Sequence, residues 1–99
     1  DAPALSVQRN VMLAFDDFMR RLDAVYVAQS AAAPPEFVDR ISYWRDRCGL
    51  AAGVAHKLHQ LRIWRNAATH HDAGKWAREG PASEEEAAQL IAECDAAIE

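Results

Sequence analysis

Helix-breaking residues are scarce in this chain of 99 amino acids, which has only four glycines and four prolines. They cluster between longer segments in which apolar residues recur at helical spacing. Strand signals are also missing, because no segment alternates apolar and polar residues over the length of a strand. These absences argue against a β-rich or loop-rich protein and predict one ordered, all-α domain.

Long apolar runs and cysteines are few as well. No stretch approaches the roughly 18 apolar residues of a transmembrane helix, so we expect no membrane association. Two cysteines, Cys48 and Cys94, are too few for a disulfide scaffold. We expect buried free thiols in a reducing, cytoplasmic environment, with a single disulfide between them as the alternative. The chain starts without methionine and stops inside a helical pattern, so we expect residues 1–99 to be one domain of a longer protein.

Positive charge is concentrated in the middle of the chain. The formal net charge is −4, which argues against a protein that coats nucleic acid generally. Residues 40–65 nevertheless carry six cations and one acidic residue, whereas residues 79–99 carry seven acidic residues and no lysine or arginine. A basic middle suits contact with a phosphate backbone; the alternative is that the helices simply carry solvated charges.

Four amphipathic helices account for the hydrophobic pattern. Their approximate ranges are 5–28, 36–48, 54–70 and 83–99. The apolar stripes comprise Val11, Phe15, Phe18, Leu22 and Val25 in the first helix, Phe37, Ile41, Trp44 and Cys48 in the second, Val54, Leu58, Leu61, Trp64 and Ala68 in the third, and Ala87, Leu90, Ile91, Cys94 and Ile98 in the fourth.

Local signals mark the helix ends. Pro34 and Pro35 end the first helix, and Gly49 is placed as the C-cap of the second. Ser83 and Glu86 have the spacing of a capping box. Residues 72–81 read as a loop with one helical turn, in which Trp76 either covers the core or stacks on a base.

The end of the third helix contains the segment of most functional interest, Arg65-Asn66-Ala67-Ala68-Thr69-His70. At about 100° per residue, Arg65 lies roughly 40° from Leu61. A cation beside the apolar stripe needs a partner or a path to water.

This segment resembles the R-x(4–6)-H signature of the HEPN superfamily. The resemblance implies a four-helix up-and-down bundle that binds RNA and, in many members, cleaves it as a dimer without metal or cofactor. It makes Arg65 and His70 the catalytic pair. The supporting and phosphate-binding residues would be Asn66, Arg62 and His71.

The chemistry of the pair fits RNA cleavage. Histidine gains and loses protons near neutral pH, and arginine offers a planar set of donors to phosphate. Positions five apart on a helix point about 140° away from each other. Arg65 and His70 would converge only if the helix bends or ends near Thr69, or if two chains pool their motifs, as the resemblance implies. We therefore expect a homodimer, in which Ile63 either lies in the helix-to-helix seam or is an ordinary exposed residue.

The same residues allow two other interpretations. In the first, Arg65 would pair with Asp72 or Asp16 and His70 would cap the helix. The domain would then be a non-catalytic helical dimerisation or protein-interaction module of a larger protein. Alternatively the histidines bind a metal, but His56 and His59 lie more than two turns from His70 and His71. Because zinc needs three or four convergent ligands, we expect no metal site.

Overall fold

A computed structural model describes residues 2–70 and 73–98, apart from the side chains of residues 2–5 and 30. Most of the described residues are helical, with no strand among them, which confirms the all-α prediction. The helices are α1 (Ala2–Val25), α2 (Val27–Ser30), α3 (Phe37–Arg47), α4 (Ala52–Thr69), α5 (Ala73–Glu79) and α6 (Glu84–Ile98).

The four predicted helices correspond to α1, α3, α4 and α6, and two short helices were not predicted as such. The first predicted helix is interrupted at Tyr26, whose φ of −103° and ψ of 38° leave helical geometry. Its ring instead packs 6.0 Å from the ring of Trp44. The predicted loop of residues 72–81 contains the two-turn helix α5, because Trp76 packs against the core and anchors a segment of good helix formers.

The predicted alternation of helix directions is wrong for α1 and α3. Phe15 lies beside Phe37, while Tyr26, further along α1, lies beside Trp44, further along α3. The two helices therefore run in the same direction. The reason lies in the connection, which returns along α1 instead of making a tight turn.

One arginine holds this connection in place. Arg40 donates from Nε to Asp23 Oδ1 at 2.9 Å on α1. It also donates from Nη1 to the carbonyl oxygens of Ala33 at 3.3 Å and Pro34 at 3.0 Å. A guanidinium with several donors is suited to binding a side chain and a passing backbone together.

Helix α4 runs in the opposite direction to α3 and α6. Ser42 lies next to His59 and Phe37 next to Arg65, so the residue numbers of α3 and α4 change in opposite senses. On the other side, Lys57 pairs with Glu93 and Trp64 lines the same groove as Glu86. The residue numbers of α4 and α6 therefore also change in opposite senses. Three long helices thus run one way and α4 runs against them.

Helix α4 is also the centre of the packing, since it contacts α1, α3, α5 and α6. Most of the predicted stripes are buried as expected, but Val25 is 62% exposed because α1 ends there and Tyr26 turns towards Trp44 instead. The largest fully buried side chains are Trp44, Phe15, Ile41, Leu58, Leu61, Val11 and Cys94.

The predicted caps are present. Gly49 adopts a φ of 86°, which glycine reaches without strain, and the Leu50 N–H bonds to the Trp44 carbonyl at 3.1 Å. Ser83 Oγ accepts from the Glu86 N–H at 3.1 Å, and Glu86 Oε1 accepts from the Ala82 N–H at 2.7 Å. Local sequence signals therefore define these helix ends.

Gly80 ends α5 where no larger residue fits, so Gly80→Ala is expected to destabilise the fold by about 1–3 kcal/mol. A Cβ at this position would lie 2.5 Å from the Trp76 carbonyl oxygen and 2.9 Å from Cδ2 of its ring. Thermal unfolding would show a melting temperature lower by roughly 4–8 °C per kcal/mol.

Gly53 provides the matched control for Gly80. A Cβ there meets nothing within 4 Å, and the residue lies in the first turn of α4. Gly53→Ala is therefore expected to raise stability by about 0.4–1 kcal/mol. Equal melting temperatures for the two variants would contradict the close contact at Gly80.

Candidate functional site

Arg65 extends from α4 into the junction of α1 and α3. Its guanidinium carbon lies 5.1 Å from the centre of the Phe37 ring and 5.9 Å from that of Phe15. The two rings are themselves in edge-to-face contact at 5.1 Å. Cation–π attraction of this kind contributes roughly 0.5–2 kcal/mol, so the aromatic pair fixes the arginine in position.

An acidic residue contacts the same arginine. Arg65 Nε lies 3.4 Å from Asp16 Oδ1, although it lacks the alignment of a hydrogen bond. Asp16 was one of the two acidic partners that the sequence suggested; the other, Asp72, lies outside the described residues. The Arg65 side chain keeps 26% of its surface exposed and Asp16 51%, so solvent screens this ion pair and its stabilising effect is small.

His70 is exposed immediately after the last residue of α4, at a backbone φ of −81° and ψ of −5°. A separation of five residues along a helix corresponds to about 7.5 Å of rise and about 140° of rotation. No hydrogen bond or ring contact joins His70 to Arg65 in the described part of the chain. Within one chain, therefore, the structure does not bring the predicted catalytic pair together.

The predicted supporting residues lie along the same helix. Asn66 is half-buried, and its backbone carbonyl oxygen accepts a hydrogen bond of 3.0 Å from Thr69 Oγ1. Arg62 is also half-buried, and its Nε is buried without a hydrogen bond. His71 lies outside the described residues, so its predicted role receives no structural account.

One turn before Arg62, His59 lies among positive groups. Its Nε2 is 3.4 Å from Ser42 Oγ on α3. Burial lowers the pKa of His59, and the positive charges of Arg62, Arg45 and His56 lower it further. The sequence placed Arg45 at a helix end and His59 among the histidines, but only the packing of α3 on α4 brings them together.

The opposite side of α4 carries charges of both signs. The groove between α4, α5 and α6 is lined by Glu86, Glu93 and Arg78, with Gln60 and Trp64 on the α4 side. Glu93 accepts from Gln89 and lies 3.6 Å from Lys57, and these contacts lower its pKa. The acidic residues near the end of the chain are therefore offset in part by cations on this side.

Metal ligands do not converge in the described residues, where no group of three or more His, Cys, Asp or Glu side chains is arranged to hold an ion. The cysteines are both free thiols. Burial raises the pKa of Cys94 to about 11, so this thiol is protonated and poorly nucleophilic near neutral pH.

Comparisons of this chain with known protein families, with curated proteins and with solved structures gave no match. No described helix has both the length and the apolar character that a transmembrane helix needs.

Proposed function

We propose that this chain is a HEPN-like, four-helix RNA-binding domain that cleaves RNA without metal when two copies form a dimer. Arg65 would bind the scissile phosphate, and His70 would transfer protons to and from the reacting oxygens. Asn66, Arg62 and His71 would support them and contact neighbouring phosphates. The proposal rests on the resemblance of residues 65–70 to the HEPN signature and on the placement of two side chains.

The observation that carries the proposal is the presence of both a fixed arginine and an exposed histidine in the last turns of α4. Two aromatic rings hold the Arg65 guanidinium while part of it stays open to solvent. His70 is exposed and has no partner among the described side chains. A fixed phosphate-binding group from one copy and a solvated imidazole from a second copy would together be suited to phosphodiester chemistry.

Dimerisation is needed because the pair diverges within one chain. The outer face of α4 exposes Ile63, with 36% of its surface accessible, one turn beyond His59. Val38, 42% exposed, lies one turn before Ser42 on α3, and Ser42 contacts His59. Because α3 and α4 are antiparallel, Val38 and Ile63 lie on the same face, where a second copy would bury both.

The second candidate function is a non-catalytic helical interaction module. It is favoured by the contacts of Arg65 with Phe15, Phe37 and Asp16 within its own chain. Those contacts give the arginine a sufficient structural role. Under this alternative, the face with Val38 and Ile63 would bind protein and the chain would leave RNA intact.

The test combines RNA cleavage with a measurement of mass in solution. The purified chain is incubated with labelled single-stranded RNA and excess chelator, and its mass is measured by analytical ultracentrifugation. We expect a dimer that cleaves RNA. Ile63→Glu is expected to give a monomer whose cleavage is at least about 100-fold slower, because the general acid–base group of the second copy is lost.

Leu13→Glu is the matched control, because Leu13 is a more exposed apolar residue, at 58%, on α1. It is expected to leave both mass and cleavage unchanged. A monomeric Ile63→Glu that cleaves at the full rate would overturn the shared site. A wild-type chain that dimerises and leaves RNA intact would favour the interaction module.

A further inference from the structure

Three buried polar atoms on successive turns of α4 lack hydrogen-bond partners: His59 Nδ1, Arg62 Nε and Arg65 Nε. Arg65 Nε still lies 3.4 Å from a carboxylate oxygen of Asp16, which leaves His59 Nδ1 and Arg62 Nε as the two atoms to be explained. A buried polar atom without a partner costs about 1–3 kcal/mol, so such atoms mark a position where a complementary group is expected.

The hydrogen bonds of Ser42 indicate which ring nitrogen of His59 carries the hydrogen. The Ser42 hydroxyl donates to the Val38 carbonyl at 3.1 Å, so its oxygen is free to accept from His59 Nε2 at 3.4 Å. The neutral imidazole then carries its hydrogen on Nε2 and leaves Nδ1 as the unpaired atom. Once the ring is protonated, Nδ1 becomes a donor that faces no acceptor.

The charges around His59 all have the same sign. From α3 it faces Ser42 and Arg45, and from α4 it faces His56 and Arg62. Arg45 is the only one of these groups with an acidic partner in the described structure, Asp46 at 2.8 Å. An imidazole surrounded by cations is held neutral until an anion offsets them.

We propose that Ser42, Arg45, His59 and Arg62 form an anion site between α3 and α4 that binds one phosphodiester group of a single RNA strand. The two unpaired atoms have almost no accessible surface, so the side chains of Arg62 and His59 must first turn outward. The oxyanion then accepts from Arg62 Nε and, after the imidazole takes up a proton, from His59 Nδ1. Both unpaired atoms thereby gain a partner.

The position of this site relates it to the cleavage site, and to that extent the inference rests on the proposed function. His59 lies six residues before Arg65 on α4, which corresponds to about 9 Å along the helix. Six residues also rotate about the helix axis, so these two side chains point about 120° apart. A strand with one phosphate bound at Arg65 must therefore bend around α4 to place a neighbouring phosphate at His59. The site adds positioning and affinity and takes no part in bond cleavage.

Sulfate is the probe for the site, because it is a tetrahedral oxyanion whose charge does not change over the pH range used. Titrations at constant ionic strength, made with chloride, are followed by NMR of the histidine rings and backbone amides. We expect sulfate to shift the signals of Ser42, His59 and Arg62. Its dissociation constant should fall as the pH is lowered through and below about 6.5, the ordinary pKa of histidine, by up to about tenfold for each unit by which sulfate raises the pKa of His59.

Two variants separate charge from protonation. Arg62→Gln is expected to abolish the sulfate shifts and to make the salt dependence of RNA affinity shallower by about 0.7 in the log–log slope, the value for one single-strand phosphate contact. His59→Gln keeps a group that can bond Ser42 but cannot gain a proton. It is expected to retain weaker sulfate binding that no longer depends on pH.

Arg20→Gln is the control, because this arginine is 76% exposed on α1 and is expected to change neither measurement. Sulfate shifts that appear at His70 and leave His59 unaffected would overturn the site. Sulfate binding at His59 in a chain that binds no RNA would instead refute the proposed function and leave an anion site of another purpose. The two failures are therefore distinguishable.

Discussion

Replacing His70 with alanine is expected to slow RNA cleavage by roughly 10²–10⁴-fold, the range that a positioned general acid–base group contributes. The folded state should be almost unaffected. His70 is exposed after the end of α4, and substitutions at such positions usually change stability by less than about 0.5 kcal/mol. A large loss of activity without a loss of stability would assign His70 to chemistry.

The measurement is single-turnover cleavage at saturating RNA with chelator present, together with thermal unfolding and RNA affinity. His70→Ala should bind RNA as the wild type does and melt at the same temperature. Arg20→Ala, which removes an exposed cation from α1, should cleave at the wild-type rate. A His70→Ala protein that cuts RNA at full speed would remove histidine from the mechanism.

The helices could be predicted from the sequence because their signals are local. The spacing of Phe15, Phe18 and Leu22 identifies a buried face on one helix without knowledge of its neighbours. The glycine at position 49 and the box formed by Ser83 and Glu86 likewise involve residues within a few positions of each other. Each of these signals therefore predicts local structure independently of how the rest of the chain folds.

The arrangement of the helices depends on contacts between distant residues, and it could not be predicted in the same way. The hydrogen bonds of Arg40 to Asp23 and Pro34 hold the connection that makes α1 and α3 parallel. Nothing in the spacing of these residues indicates that they meet. A four-helix pattern with short connections favours alternating directions, and the contacts that accompany the parallel arrangement here join residues far apart in the sequence.

The candidate site likewise combines a contact that the sequence suggests with contacts that only the packing reveals. The helical wheel placed Arg65 beside the apolar stripe and required a partner for it, and one of its two suggested acidic partners, Asp16, is present at 3.4 Å. The rings of Phe15 and Phe37 were assigned only to the core, yet they also hold the guanidinium. Arg65 therefore belongs both to the packing and to the proposed site.

Phe15→Ala tests that double role and is expected to cost about 3–5 kcal/mol, the usual loss for a buried phenylalanine. Phe15 is fully buried and touches both Phe37 and the Arg65 guanidinium. Against a total stability of about 5–15 kcal/mol for a small domain, this loss brings the protein close to unfolding. Urea denaturation monitored by circular dichroism measures it directly.

Leu13→Ala is the matched control, because Leu13 lies on the same helix but is 58% exposed, and its truncation is expected to change stability by less than about 0.5 kcal/mol. Phe15→Leu separates the two roles of the ring. It keeps most of the apolar volume and removes the aromatic face beneath Arg65. If the ring positions the arginine, Phe15→Leu should fold at the temperature of measurement and still cleave RNA more slowly; if it cleaves at the wild-type rate, Phe15 contributes to the core alone.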